Sequence, residues 1–340
     1  MLIRSFAGSN YVKKRIFIFS AGGLRRQENT ICFINSDGAK KFVPVSNISS
    51  IYIFGEVTFN KKLLEFLSSN EITLHVYNYY GYYVGSFYPR THYNSGYMTL
   101  RQCEHYLNSD KRLRIARKFV EGSIMNMSKN LEYYSRRGAN VSSYLEELNT
   151  CLSFLKNARS TEELMAVEGR ARRNYYSSFN AILRNDYFRY EKRKKRPPKS
   201  PLDALLSFGN SMLYTTILAE IYKTHLDPRI GFLHTPNFRR FSLNLDVAEI
   251  FKPLIVDRII FKLVNKRMID SACFDEELGG IYLKEKGRKI FVQKYDEKLG
   301  QTITLQRRKV SYQRLIRLEL YKLEKHLMGE KEYQPFISRW

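Results

Sequence analysis

The segment GFLHTPNFRRFSLNLDVAEIFKP, residues 231–253, gathers one of the chain's six histidines, His234, with two carboxylates, Asp246 and Glu249, and three cations, Arg239, Arg240 and Lys252. Two carboxylates and an imidazole without a thiolate form a hard donor set that suits Mg²⁺ or Mn²⁺ better than structural zinc. Guanidinium and ammonium groups nearby in sequence suit phosphate oxygens. Such a set implies chemistry at phosphorus. Each member also has a structural reading. Asp246 at an N-cap with Glu249 at N3 satisfies the open amides of a starting helix, and a single histidine is commonly a hydrogen-bonded loop residue. The two roles are compatible: Asp246 can cap while Glu249, on the next turn, faces a site. Pro253 lies too deep for the first turn of that helix and implies a kink or restart.

A third carboxylate is singled out by its position. Leu164, Ala171, Tyr175, Phe179 and Ile182 trace the apolar stripe of a helix, and Glu168 lies on that stripe one turn before Ala171. An ionised carboxylate on a buried face requires a cation, a set of hydrogen bonds or a raised pKa. A salt bridge to Arg172 or another arginine meets that need, and so does a metal ion. Downstream, RYEKRKKRPPKS (189–200) reads as a solvated linker that ends a helix at Pro197-Pro198. Together with Arg170, Arg172, Arg173 and Arg184 it alternatively reads as a strip that follows a phosphate backbone.

The elements that must position these residues fall into two parts, which makes the fold class α+β. As far as Pro89 the chain reads as strands: RIFIFS, TICFINSDGAKKFVPV, SSIYIFGEV and ITLHVYNYYGYYVGSFYP are β-branched and aromatic runs punctuated by turn residues. NKKLLEFLSS is the one helical stretch among them, with Asn60 as its N-cap. After THYNSGY the period changes from two to about 3.6, which puts the boundary between a β-rich domain over 1–92 and a larger, mostly α-helical domain over 93–340. Leu113, Ala116, Val120, Ile124, Met127, Leu131 and Tyr134 define one long amphipathic helix that ends at Gly138. A second runs from Ser143 to Leu155, and the third opens at Ser160 with a capping box closed by Glu163. Helical patterning continues through PLDALLSFGNSMLYTTILAEIY and from Val256 to Val264. GGIYLKEKGRKIFV alternates about Lys286-Gly287 as a surface hairpin, and a basic helix over Tyr312–Met328 closes the chain.

Composition narrows the partner. The 57 Lys and Arg against 33 Asp and Glu give a formal charge of +24, which favours a polyanion, nucleic acid before an anionic membrane. The apolar centre of KKRIFIFSAGG is too short for a secretory signal and reads as a buried strand. Cys32, Cys103, Cys151 and Cys273 show no C-x-x-C spacing, which argues against a zinc knuckle or disulfide framework and for a reducing cytosol. The chain lacks a P-loop pattern, H-E-x-x-H and the calcium-loop motif.

Several segments taken together carry a family resemblance: AVEGRARRNYY, RPPKSPLDALLSFGNSMLYTTILAEI, DPRIGFLHTPNFRRFSLNLDVAEIFKPLIVDRI, GGIYLKEKGRKIFV and YQPFISRW, in this order, with IYIFGEVTFNKKLLEFLSSNEITLHVYNYYGYYVGSF before them. Over nearly its whole length the chain resembles the CRISPR-associated integrase/endonuclease, the catalytic core protein of spacer acquisition. The resemblance implies a β-rich dimerisation domain ahead of the catalytic domain, and an asymmetric homodimer. Two such dimers would flank a dimer of the second, smaller CRISPR adaptation protein. It also implies a metal held by Glu168, His234 and Glu249, with Asp246 beside it and Tyr214 near the bound strand. The implied reaction is attack of a DNA 3′-hydroxyl on a phosphodiester of the CRISPR repeat, with cleavage of branched DNA as a side activity. The family commonly has Asn at the position of Asp203 and Arg at that of Lys252. A stand-alone structure-specific DNA repair nuclease, or a catalytically silent DNA-binding scaffold, is the competing expectation.

Overall fold

The computed structural model describes residues 2–4, 13–90, 93, 95–194, 197–236 and 241–339. Strands β1 (Leu2–Arg4), β2 (Lys14–Ile18), β3 (Gly22–Gln27), β4 (Thr30–Asn35), β5 (Lys40–Pro44), β6 (Ile48–Ile53) and β7 (Val57–Phe59) precede helix α1 (Lys61–Ser69). Asn60 Oδ1 caps α1 by accepting from the Leu63 amide at 3.1 Å, as its sequence implies. Strands β8 (Thr73–Tyr77) and β9 (Tyr83–Phe87) follow. Among the described residues these strands form a five-stranded sheet in the order β1-β2-β6-β8-β9 and a four-stranded sheet in the order β5-β4-β3-β7. β2, β6 and β8 run parallel, with antiparallel β1 and β9 at the edges.

The parallel strands are buried on both faces, and their alternation sorts side chains by type. Ile16, Ile18, Ile51, Ile53 and Leu74 point to a core shared with Leu24, Ile31, Phe33 and Val43 of the second sheet. Phe17, Phe19, Tyr52, Phe54 and Tyr77 point the other way, into the core of the helical part. Phe54 reaches Phe208 at 6.1 Å, and Phe208 packs edge-on against Phe291 at 5.3 Å.

The helical part begins with α2 (Gly96–Leu107), α3 (Ser109–Ser135), α4 (Ser142–Asn157), α5 (Thr161–Ser177), α6 (Phe179–Ile182) and α7 (Pro201–Ile221). It continues with α8 (Leu243–Phe251), a π-turn over Pro253–Asp257 and α9 (Arg258–Asn265). The stripe expected for the long helix lies on α3, where Ala116, Val120, Ile124, Met127 and Leu131 are fully buried. Ser160 caps α5 through the Glu163 amide, at 3.1 Å. Pro253 does interrupt its helix: it has no amide to donate, and the chain restarts through the Asp257 N–H to Lys252 O bond of 3.1 Å.

Two expectations fail. The hairpin about Lys286-Gly287 is instead β10 (Phe274–Glu277) paired with β11 (Gly280–Leu283), and Lys286-Gly287 lie in the first turn of α10 (Glu285–Gly300). The turn falls at Leu278-Gly279, both at positive φ (49° and 66°), which the glycine accommodates. No helix ends at Pro197-Pro198: residues 189–194 are irregular, and Arg193 bonds back to Asp203 Oδ1 at 2.8 Å and Ser207 Oγ at 2.9 Å on α7. Ser200 caps that helix and Pro201 stands at its first position. A further hairpin, β12 (Thr302–Leu305) with β13 (Arg308–Ser311), leads into α11 (Tyr312–Leu327). Among the described residues no helix is long and apolar enough to cross a membrane.

Candidate functional site

α8 starts one turn earlier than a capping box at Asp246 requires. Ser242 occupies the N-cap position but turns its hydroxyl outward from the helix, accepting from the Gly231 amide at 2.8 Å and donating to Arg229 O at 2.7 Å. Asp246 therefore lies within the helix and is completely buried. Its Oδ2 accepts from the Phe232 and Leu233 amides at 2.6 and 3.0 Å, and its Oδ1 accepts from the His234 amide at 2.9 Å. Three consecutive loop amides outcompete the helix's own first turn, because a buried anion is stabilised most by converging donors. Gly231 makes this approach feasible: a Cβ there would sit 2.9 Å from Asp246 Oδ2 and 2.8 Å from the Ser242 carbonyl carbon.

The same carboxylate fixes the His234 ring. His234 Nδ1 lies 2.8 Å from Asp246 Oδ1, and an acceptor already saturated with amide donors assigns the proton to Nδ1. Among the described residues Nε2 makes no hydrogen bond. Burial would lower the His234 pKa, but Asp246 and the nearby Glu249 charge outweigh it and the net shift is upward. This carboxylate–imidazole pair is the arrangement that orients a histidine ligand toward a metal.

Glu249 lies one turn beyond Asp246 and is 5% exposed. It is paired with Arg172 of α5 and with Lys252. Burial works against its charge, yet these two cations hold its pKa well below the carboxylate range. Arg172 also lies 2.9 Å from Glu168 Oε1, four residues earlier on α5, and 3.1 Å from Ser123 Oγ of α3. One guanidinium thus joins both glutamates, and His234 stands close enough to Glu249 for their charges to interact. Lys252 Nζ faces the Tyr214 ring at 5.2 Å from its centroid, and Tyr214 O accepts from Asn244 at 3.3 Å.

Glu168, His234, Asp246 and Glu249 are therefore neighbours in one region, although α5 and α8 are far apart in sequence. Among the described residues no three His, Cys, Asp or Glu side chains stand in an arrangement that could hold a metal ion. The cation between the two glutamates is Arg172. The donor chemistry itself fits a hard divalent ion: two carboxylates held by cations and an imidazole whose Nε2 is unengaged among the described residues.

Of the residues considered for DNA contact, Asp246 is buried, Lys252 is 7% exposed and tied to Glu249, and the Arg172 side chain is 11% exposed. None of the three offers a free charge to a phosphate in this conformation. Arg239 and Arg240 lie outside the described residues. Sequence reading overlooked Ser123, Ser242 and Asp257. Burial pushes the carboxyl of Asp257 up to about 7 against the opposing pull of Arg172. Its one signal was an isolated acid in the apolar run FKPLIVDRIIF.

The family model for CRISPR associated protein Cas1 matches residues 16–297. The CRISPR-associated endonuclease Cas1 2 of Thermodesulfovibrio yellowstonii is 54% identical over 331 residues, which is 97% of this chain and 100% of that protein. The CRISPR-associated endonuclease Cas1 of Thermotoga maritima is 47% identical over 94% of this chain and 98% of its own length. The solved structure of a Cas1 protein from Thermotoga maritima superposes with a TM-score of 0.85 at 47% identity, covering 96% of this chain and 100% of that one. A casposase bound to its integration product has the same fold, with a TM-score of 0.84 at 20% identity over 96% of this chain and 95% of that one. With its β-rich part ahead of a helical part that joins α5 to α8 through shared ion pairs, the chain belongs to the Cas1 family.

Proposed function

We propose that this chain is a divalent-metal-dependent DNA integrase and endonuclease that inserts DNA fragments into a CRISPR array. The observation that carries the reading is the Asp246-oriented His234 beside Glu249, itself linked to Glu168 through Arg172. Relatives that span essentially the whole chain are named CRISPR-associated endonucleases, and the casposase of the same fold is bound to an integration product. A Cas6-RT-Cas1–Cas2 complex also contains this fold, at 18% identity and a TM-score of 0.82. In keeping with these, the partners are DNA, a second copy of the chain and the smaller adaptation protein.

In this mechanism the 3′-hydroxyl oxygen of the incoming strand attacks phosphorus at the repeat boundary, and the bond to the departing 3′-oxygen breaks. One phosphodiester replaces another, so no nucleotide triphosphate is needed. Mg²⁺ or Mn²⁺ bound by Glu168, His234 and Glu249 would supply Lewis acidity at the phosphate oxygens. Asp246 keeps the His234 proton on Nδ1 and the Nε2 lone pair toward the site. Lys252, paired with Glu249 and facing the Tyr214 ring, keeps the Glu249 carboxylate ionised and in place. Water in place of the hydroxyl turns the same step into cleavage.

The test supplies a donor duplex with a free 3′-hydroxyl, a repeat-bearing plasmid, the smaller adaptation protein and Mn²⁺. Wild type is expected to give joined half-site products. Glu168→Ala, His234→Ala and Glu249→Ala are each expected to lose about 10²-fold or more in rate while still binding DNA. Cleavage without joining would instead identify a repair-type nuclease, and unchanged joining by a folded Glu168→Ala protein would overturn the site assignment.

A further inference from the structure

Arg172 has an unusual position for an arginine near a proposed metal site: it occupies the space between the two carboxylates that would hold the ion. Its Nε and Nη2 are engaged by Glu168, Ser123 and Glu249. Its Nη1 is buried and, among the described residues, has no hydrogen-bond partner. The second anomaly lies close by. Asp257, fully buried in the π-turn, makes no well-formed hydrogen bond through either carboxyl oxygen among the described residues. The Tyr175 hydroxyl, which accepts a 2.7 Å bond from Asn130, is among those residues the one donor turned toward it. A buried carboxyl short of donors and a buried N–H without an acceptor each cost free energy that a better-paired arrangement would recover. Such groups call for an explanation, and functional sites are where native structures retain them.

We propose that Arg172 is an exchangeable counter-ion with two berths: it bridges Glu168 and Glu249 when no metal is bound, and moves to Asp257 when a divalent ion takes the two glutamates. The proposal rests on the metal-dependent reading above and extends it to residues outside the ligand set. Without the arginine, two glutamates and no ion would leave uncompensated negative charge in a mostly buried region, so the metal-free fold requires it. With an ion present, a guanidinium left in place would repel it. Asp257 gives that guanidinium an anionic acceptor within the same pocket, on an element that Pro253 has already released from regular helix geometry. Arg172 and Asp257 are thus positioning residues, and metal binding and the Arg172 position are linked equilibria.

The test is a double-mutant cycle on the full-length chain, read as Mn²⁺ affinity by titration calorimetry and as the Mn²⁺-induced rise in melting temperature. Arg172→Met is expected to melt lower than wild type without metal, to bind Mn²⁺ about tenfold more tightly and to gain more in melting temperature from it. Asp257→Asn is isosteric and its amide oxygen can still accept from the Tyr175 hydroxyl, so it is expected to fold; it should bind Mn²⁺ about fivefold more weakly. In the Arg172→Met background the Asp257→Asn change should leave the affinity unaltered, because the group that used the second berth is gone. An Asp257→Asn effect of equal size in both backgrounds would mean that Asp257 acts on the ion directly through space, and would overturn the proposal. Mn²⁺ binding of equal strength in wild type and Arg172→Met would also overturn it while leaving the metal reading intact. Absence of Mn²⁺ binding in every variant would overturn both.

Discussion

Asp246 serves two neighbours with one carboxylate: the backbone of residues 232–234 and the ring of His234. Replacing it with Asn keeps the shape but presents an NH₂ group to donors on one side. We expect Asp246→Asn to lower stability by about 3 kcal/mol, measured by urea denaturation. Joining activity should fall even at temperatures where the variant is fully folded, because the His234 tautomer is no longer dictated. A variant as stable as wild type would contradict the hydrogen bonds described here. At this scale the candidate donors and their cations could be named from residue type, and the family resemblance grouped Glu168 with His234 and Glu249; the structure brings them into one region. The role of Asp246 was not legible in the sequence. One turn of helix register separates a cap from a buried anchor, and the contest between loop amides and helix amides is decided in three dimensions. The Asp203 departure is a parallel case: its amide is capped by Ser200, and its carboxylate binds Arg193 and the Lys194 amide.

Among the elements, β8 contains a titratable group that the site does not use. His75 is completely buried, bonded to Ser86 Oγ at 2.6 Å and Thr73 Oγ1 at 3.2 Å and packed against Tyr52 at 4.8 Å. Burial, aided by Lys223, lowers its pKa to about 3. Between that value and the usual 6.5 the unfolded chain binds a proton that the folded chain refuses, so His75's contribution is fully present above pH 6.5 and is lost as the pH falls. The slope from this one residue approaches about 1.4 kcal/mol per pH unit in the middle of that window. Between pH 7 and pH 5 the urea midpoint of wild type should therefore drop more than that of His75→Gln; parallel profiles would refute a neutral buried imidazole. Element types were readable from periodicity wherever one face is apolar, as along α3. The β12–β13 hairpin was not readable, because its turn residues Gln306 and Arg307 take positive φ (47° and 66°) without the Gly or Asn that usually signals such a turn. The misplaced hairpin in GGIYLKEKGRKIFV has a different cause. Residues 285–300 are amphipathic only weakly, so strand alternation and helix periodicity competed without a clear winner.

Across the whole molecule, a buried ionic chain accompanies the aromatic face that joins sheet to helices. Arg15 of β2 pairs with Asp296 of α10 and with Gln313 of α11; Gln313 bonds Glu220 of α7 at 2.8 Å, and Glu220 pairs with Arg317 at 2.6 Å. Arg15 and Asp296 are 4% exposed each. Removing one member of a buried pair leaves the other charged without compensation. Arg15→Met is expected to cost about 3–5 kcal/mol, and Arg15→Met combined with Asp296→Leu should recover a large part of it, measured by calorimetric unfolding. If the double variant is no more stable than the single one, the pair is not what fastens the sheet to α10.

The order of residue types along this chain determined a great deal by itself: strands before helices, an excess of positive charge suited to a polyanion, and the acids and histidine suited to a hard metal. Those properties follow from local periodicity and from side-chain chemistry, both of which survive in an unfolded chain. Only the tertiary structure decided which charges meet. Glu168 and Glu249 are 81 residues apart in sequence (249 − 168) and share Arg172 because α5 and α8 both pack on α3. Asp246 reaches three loop amides because Gly231 has no side chain to hold the loop away, and Asp257 is buried within reach of the Arg172 charge although 85 residues separate them (257 − 172). Burial turns such encounters into strong interactions by removing the water that would otherwise screen them, and burial is a property of the folded whole.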